Sequence, residues 1–131
     1  MDKYSHFFLL ASIALLAITA LAIIANRNET GLIEGKVTIG PFNPVEPSTG
    51  PLVPPGTYSS RSVILTSRHG VPTYIHLGED GRFRAEVSTG VYQVTVSNCI
   101  FLGCKSSLPV TETIVSGETA VLNIDIDTGI R

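Results

Sequence analysis

The sequence predicts an all-β protein: an antiparallel Greek-key sandwich of about seven strands, preceded by one N-terminal transmembrane or signal helix. Three observations carry this. Beyond residue 30 apolar and polar residues alternate with a period of two in segment after segment, the mark of strands with one buried face. Gly-containing turn signals such as Glu79-Asp80-Gly81 and Ser116-Gly117-Glu118 separate these segments at short intervals. Before them, Phe7 to Ala25 is a run of 19 residues in which only Ser12 and Thr19 are polar and none is charged.

The apolar run divides the 131-residue chain into a leader, 1-27, and a domain, 28-131. As a helix its residues would rise about 28 Å, close to the hydrocarbon thickness of roughly 30 Å. It is apolar on every face, so a buried soluble helix, which shows one stripe, fits poorly. An uncleaved membrane anchor over residues 7-25 is the expectation. Cleavage after the small residues around Ala20-Leu21-Ala22 is the alternative and would release the domain. Either way the domain lies outside the cytoplasm, periplasmic or extracellular. The positive mean hydropathy of +0.31 comes largely from the leader. Setting Asp2 and Lys3 aside leaves eight Lys or Arg against ten Asp or Glu, a balance that offers no footprint for nucleic acid.

The first strand covers Gly31 to Ile39, with Ile33, Gly35, Val37 and Ile39 on one face and Glu34, Lys36 and Thr38 on the other. Residues 41-56 then hold six of the eight prolines, which rules out regular helix and removes ladder donors. This is read as a semi-rigid, partly polyproline-like loop within the domain. Arg61 to Ser67 and Val71 to Leu77 are strands either side of a turn with His69 and Gly70. Next come a strand with Phe83, Ala85 and Val87 inside, and another with Tyr92, Val94 and Val96 inside. Leu108 to Val115 is a strand whose facing the pattern leaves open, and the last strand buries Ala120, Leu122, Ile124 and Ile126. No helix is signalled beyond residue 25.

Cys99 and Cys104, the two cysteines, enclose Ile100-Phe101-Leu102-Gly103. In an exported domain they are most simply a disulfide across a loop tip. A zinc site would need two further ligands, and a redox pair usually has two intervening residues rather than four.

The segments Gly81-Arg82-Phe83-Arg84, Gly90-Val91-Tyr92-Gln93-Val94 and Ser116-Gly117-Glu118-Thr119 together resemble the carboxypeptidase regulatory-like domain family over about residues 32 to 127. The resemblance implies a transthyretin-like (prealbumin-like) sandwich in which Phe83 and Tyr92 fill the core and the glycines make the turns. It implies little about function, because such sandwiches serve many tasks. The stretch Gly40 to Pro47 departs from the short first loop of the family.

Motifs with chemical potential are outweighed by plainer readings. Asp127-Thr128-Gly129 matches the aspartic-protease triplet, but only two residues follow it and no second carboxylate is paired with it. His69 and His76 do not form the set that a transthyretin-like hydrolase carries, and a metal site built on them with a carboxylate is disfavoured. Lys36 and Asn123 invite a self-forming isopeptide bond, yet strand parity turns both to water, where the required dry environment is missing. Asp125 and Asp127 share an outer face that is better read as solvated than as a calcium site. No catalytic residue, metal or cofactor is therefore expected. Two candidate contact surfaces remain: the loop tip Ile100, Phe101 and Leu102, either an exposed apolar patch or a cap on the sandwich, and the proline-rich stretch with Pro41, Pro44, Pro47, Pro54 and Pro55. The expected role is a non-catalytic binding or assembly module with a protein or surface-polymer partner. A secreted or periplasmic hydrolase and a structural surface component are the rivals.

Overall fold

A computed structural model describes residues 29–131. The anchor expected over residues 7-25 lies outside the described residues, among which no helix is long and apolar enough to cross a membrane.

The body is all-β. Seven strands, β1 (Thr30–Gly40), β2 (Ser62–Ser67), β3 (Pro72–His76), β4 (Arg82–Ser88), β5 (Gly90–Val96), β6 (Val110–Ile114) and β7 (Thr119–Asp127), are joined by loops and one five-residue helix, α1 (Gly103–Ser107). They form a three-stranded sheet of order β4-β1-β7 and a four-stranded sheet of order β3-β2-β5-β6. Side chains from the inner faces meet in one core, where Ile33, Val37, Val63, Leu65 and Val94 are fully buried. Alternation is what makes this possible: Ile33, Val37 and Ile39 point inward from β1, and Leu122, Ile124 and Ile126 do so from β7. Phe83 and Tyr92 are core residues, at 5% and 7% exposure. The facing of β6 is settled by its register: Ile114 is buried and Thr111 and Thr113 point to water.

The structure corrects the sequence reading in two places. The sandwich is not wholly antiparallel, since β1 and β7 pair in parallel, from Leu32 against Thr119 to Gly40 against Asp127. The reason is topological. β6 ends beside the start of β1, where Gly117 N–H donates to the Thr30 carbonyl and Leu32 N–H to that of Glu118. From there β7 must run the same way as β1. The second correction is α1, where a loop was expected; a single helical turn is too short to leave a periodic signature.

Tyr58 lies within what the sequence presents as loop, yet it is buried, and its hydroxyl accepts the Ile39 N–H at 3.1 Å. The residue thereby satisfies a backbone donor near the end of β1 that would otherwise be buried without a partner.

Candidate functional site

Strand directions sort the loops into two poles. At the pole where β1 begins lie the short connections 68–71, Thr89 and 115–118. At the pole where β1 ends lie the proline-rich loop, the β3–β4 turn at 77–81, the loop with Cys99 and Cys104, and the C-terminal residues 128–131. Eleven residues of β1 separate the two poles, about 33 Å at the usual rise per residue. Among the described residues the pole where β1 ends carries half of the exposed large apolar side chains, namely Val45, Leu52, Val53, Ile100 and Leu102. Exposed apolar residues on neighbouring loops are candidates for a contact surface.

This pole is braced. Cys99 and Cys104 are bonded, with Cα atoms 5.8 Å apart. The ring of Phe101 meets that of Phe42 edge to face, centroids 6.1 Å apart, and the Arg61 guanidinium lies 5.2 Å from the Phe101 centroid. Three distant segments are thus pinned on one aromatic ring. Below the ring, α1 presses on β7: a Cβ at Gly103 would stand 2.4 Å from the Asp127 nitrogen, so only glycine allows that approach. The three tip residues divide. Phe101 caps the pole, half-buried, whereas Ile100 and Leu102 remain 82% and 72% exposed. Intact mass of the purified chain is expected to be two hydrogens short of the dithiol value, and free thiols would contradict the bond. Closing so short a loop should contribute about 2 kcal/mol, lost in the Cys99→Ser, Cys104→Ser double variant.

The proline-rich loop belongs to this pole. It stands over the end of the β1–β7 sheet and encloses with it a cleft of about 850 Å³. Pro51, Val53, Pro54 and Pro55 form one wall, Thr38 and Asp125 come from the strands, and Tyr58 lies at the base. Of the prolines singled out in the sequence, Pro41, Pro54 and Pro55 line the cleft, and Pro44 and Pro47 do not. The loop is held at its far end by Thr57, whose hydroxyl and N–H both donate to the Pro54 carbonyl, and by Arg61, which donates to the Thr57 carbonyl.

The C-terminal residues clasp the same pole. Thr128 donates from its N–H to the Gly40 carbonyl and from its hydroxyl to that of Pro41. The Asp127 carboxylate accepts the Gly129 N–H at 2.8 Å and the Arg131 guanidinium at 2.7 Å. The Arg131 bond first, then the Gly129 N–H, lower the Asp127 pKa from 3.8 to about 2. The Asp-Thr-Gly triplet is thus a strand-end turn whose carboxylate is already engaged. Because the folded pKa is depressed, the clasp contributes fully above the ordinary carboxylate range, fades as pH falls below about 4, and is gone once pH drops through the folded value. Carboxyl-carbon NMR titration should place Asp127 near pH 2, and Arg131→Ala should return it toward the ordinary range.

The remaining candidates are dispersed. His69 is in the turn before β3 and His76 at that strand's other end, so the two histidines belong to opposite poles. Among the described residues no three His, Cys, Asp or Glu side chains gather closely enough to hold a metal ion. Lys36 and Asn123 are register partners, both exposed, and the Asn123 side-chain carbonyl accepts the Lys36 backbone N–H at 3.1 Å. A pair that sequence reasoning missed is Ser62 and His76, Oγ to Nδ1 3.1 Å, which are cross-strand neighbours of β2 and β3. Ser62 is 5% exposed, so its hydroxyl faces the imidazole rather than an open site. No sequence signal joins residues 14 apart before the register is known.

No family model matches this chain, and no curated protein matches it in sequence. Among solved structures it is similar to a DUF3823 family protein from Parabacteroides merdae, at 18% identity over 76% of this chain and 46% of that one, with a TM-score of 0.47. The Bacillus anthracis TIE protein is similar at 11% identity over 76% of this chain and 17% of its own, TM-score 0.47. A leucine-rich repeat protein from Bacteroides thetaiotaomicron gives 16% identity, 76% and 12% coverage, and a TM-score of 0.44. The chain spans less than half the length of each.

Proposed function

We propose that this chain is a non-catalytic binding module, tethered to a membrane by residues 7-25 with its sandwich outside the cytoplasm, and that it meets a protein partner with the pole furthest from the tether. One observation carries the reading. The proline-rich loop, the exposed Ile100 and Leu102, and the C-terminal clasp converge on a single braced pole, about 33 Å along β1 from the point where the leader joins. Such an arrangement holds a surface rigid before binding, which lowers the ordering cost of association. On this reading the tether enters at the other pole, so the occupant of Ile100 and Leu102 is taken to be a protein rather than lipid. The disulfide supports the exported setting, since such a bond persists in oxidising compartments.

We also take the sandwich to be a divergent domain of the carboxypeptidase regulatory-like type. Phe83 and Tyr92 fill the core, and Gly81 and Gly117 close turns, as that resemblance implies. The long proline-rich loop is this chain's departure, and it is where the cleft is.

The test uses the full chain in its native membrane with a photoreactive amino acid at one position at a time. Labels at Val45 or Leu102 should give a discrete protein adduct, and labels at Val71 or Val115, also exposed but at the other pole, should not. Adducts at both poles alike, or at neither, would contradict the reading.

A further inference from the structure

The charges around the cleft do not balance. Its lining includes five carboxylates, Glu46, Glu79, Asp80, Asp125 and Asp127, against one cation, Lys36. Asp80 is engaged by Arg82 at 3.2 Å and Asp127 by Arg131 at 2.7 Å. Glu46, Glu79 and Asp125 have no ion-pair partner among the described residues. They come from three separate segments, the proline-rich loop, the β3–β4 turn and β7, so their convergence is a product of the fold and not of local sequence. A concave surface with low-dielectric walls focuses the field of such charges and raises the local concentration of cations.

The wall facing them adds a second, independent constraint. Pro51, Pro54 and Pro55 contribute apolar rings and no N–H donors. The cleft therefore joins an excess of carboxylates to one wall of rigid apolar surface. Its chemical complement has donors at the tip and methylenes along the stem, which describes a lysine or arginine side chain: the stem lies along the prolines and the charged head reaches the carboxylates. Outside the cleft Val45 and Leu52, 83% and 59% exposed, offer contacts for apolar side chains next to the basic ones.

We infer that the cleft takes an extended peptide segment of a protein partner in which Lys or Arg residues are interspersed with apolar ones. This rests on the binding-module reading and gives the partner its chemistry. The volume, about 850 Å³, is at the upper end for small-molecule sites. It suits several side chains of a segment better than one free amine.

The experiment measures fluorescence anisotropy of a dye-labelled, end-blocked heptapeptide of alternating Lys and Val, with the full chain in nanodiscs of neutral phosphatidylcholine. Saturable binding that weakens with added salt is expected. The triple variant Glu46→Gln, Glu79→Gln, Asp125→Asn should bind about tenfold more weakly, as loss of three exposed charge contacts implies. Glu86→Gln, Glu112→Gln, Glu118→Gln, which removes the same charge away from the cleft, should bind like the parent. All six positions are at the surface or only half-buried, and parent-like melting of both triples checks that folding is unchanged. Equal weakening by the two triples, equal binding of a Glu-for-Lys peptide, competition by spermine as effective as unlabelled peptide, or no saturable binding would each overturn the proposal. Photo-adducts confined to the far pole together with any of these results would remove the cationic peptide and leave the binding module standing.

Discussion

Gly35→Ala is expected to be among the most damaging single substitutions in the molecule. Gly35 lies in the middle of β1, paired with Phe83 of β4 on one side and Leu122 of β7 on the other. An ideal Cβ there would stand 1.6 Å from the Leu122 carbonyl oxygen, which is backbone and cannot step aside. The parallel seam would have to separate locally, losing ladder hydrogen bonds and the packing of Leu122 beneath them. A cost of about 3 kcal/mol or more is expected, as for substitutions that force a core backbone apart. In a domain of this size that is a fall in Tm of about 12 °C or more. Thermal melts followed by circular dichroism measure it, with Thr38→Ala on the solvent face of the same strand as the control. A change of under about 1 kcal/mol at Gly35 would mean that β7 does not approach β1 as described.

Phe83→Ala and Tyr92→Ala should each cost about 3 to 5 kcal/mol, because a buried ring leaves a cavity that two pleated sheets cannot close around. Phe83 extends from the three-stranded sheet and Tyr92 from the four-stranded one, and both belong to the single core between them. Either loss is a large fraction of the roughly 5–15 kcal/mol that holds a typical domain folded. Tyr92→Phe separates the ring from its hydroxyl, which donates to the Ser88 carbonyl at 2.7 Å, and should cost only about 1 kcal/mol. Denaturant melts of the three variants beside Arg84→Ala, an exposed neighbour on β4, give the comparison. Losses at Phe83 and Tyr92 no larger than at Arg84 would mean that the strand register is wrong.

The strands were legible because each buries one face. Ile33, Val37 and Ile39 alternate with Glu34, Lys36 and Thr38, and no other conformation puts the first set in oil and the second in water. What alternation cannot carry is which strand lies beside which, or in what direction. A period of two is identical for parallel and antiparallel neighbours, so the β1–β7 pairing was out of reach. The same limit hid the site. Phe42, Arg61 and Phe101 meet only because three connections end at one pole, and Glu46, Glu79 and Asp125 converge for the same reason. Tyr58 was missed for another cause: in a proline-rich loop there is no periodicity to show that one aromatic turns inward.

Parallel pairing of β1 with β7 is the claim on which the two poles, and hence the gathered loops, depend. Proton–proton NOE spectroscopy tests it directly. Cross-strand contacts should join Ile33 to Ala120 and Ile39 to Ile126, following the register; contacts joining Ile33 to Ile126 and Ile39 to Ala120 would reverse the strand, carry Asp127 to the opposite pole and dismantle the site.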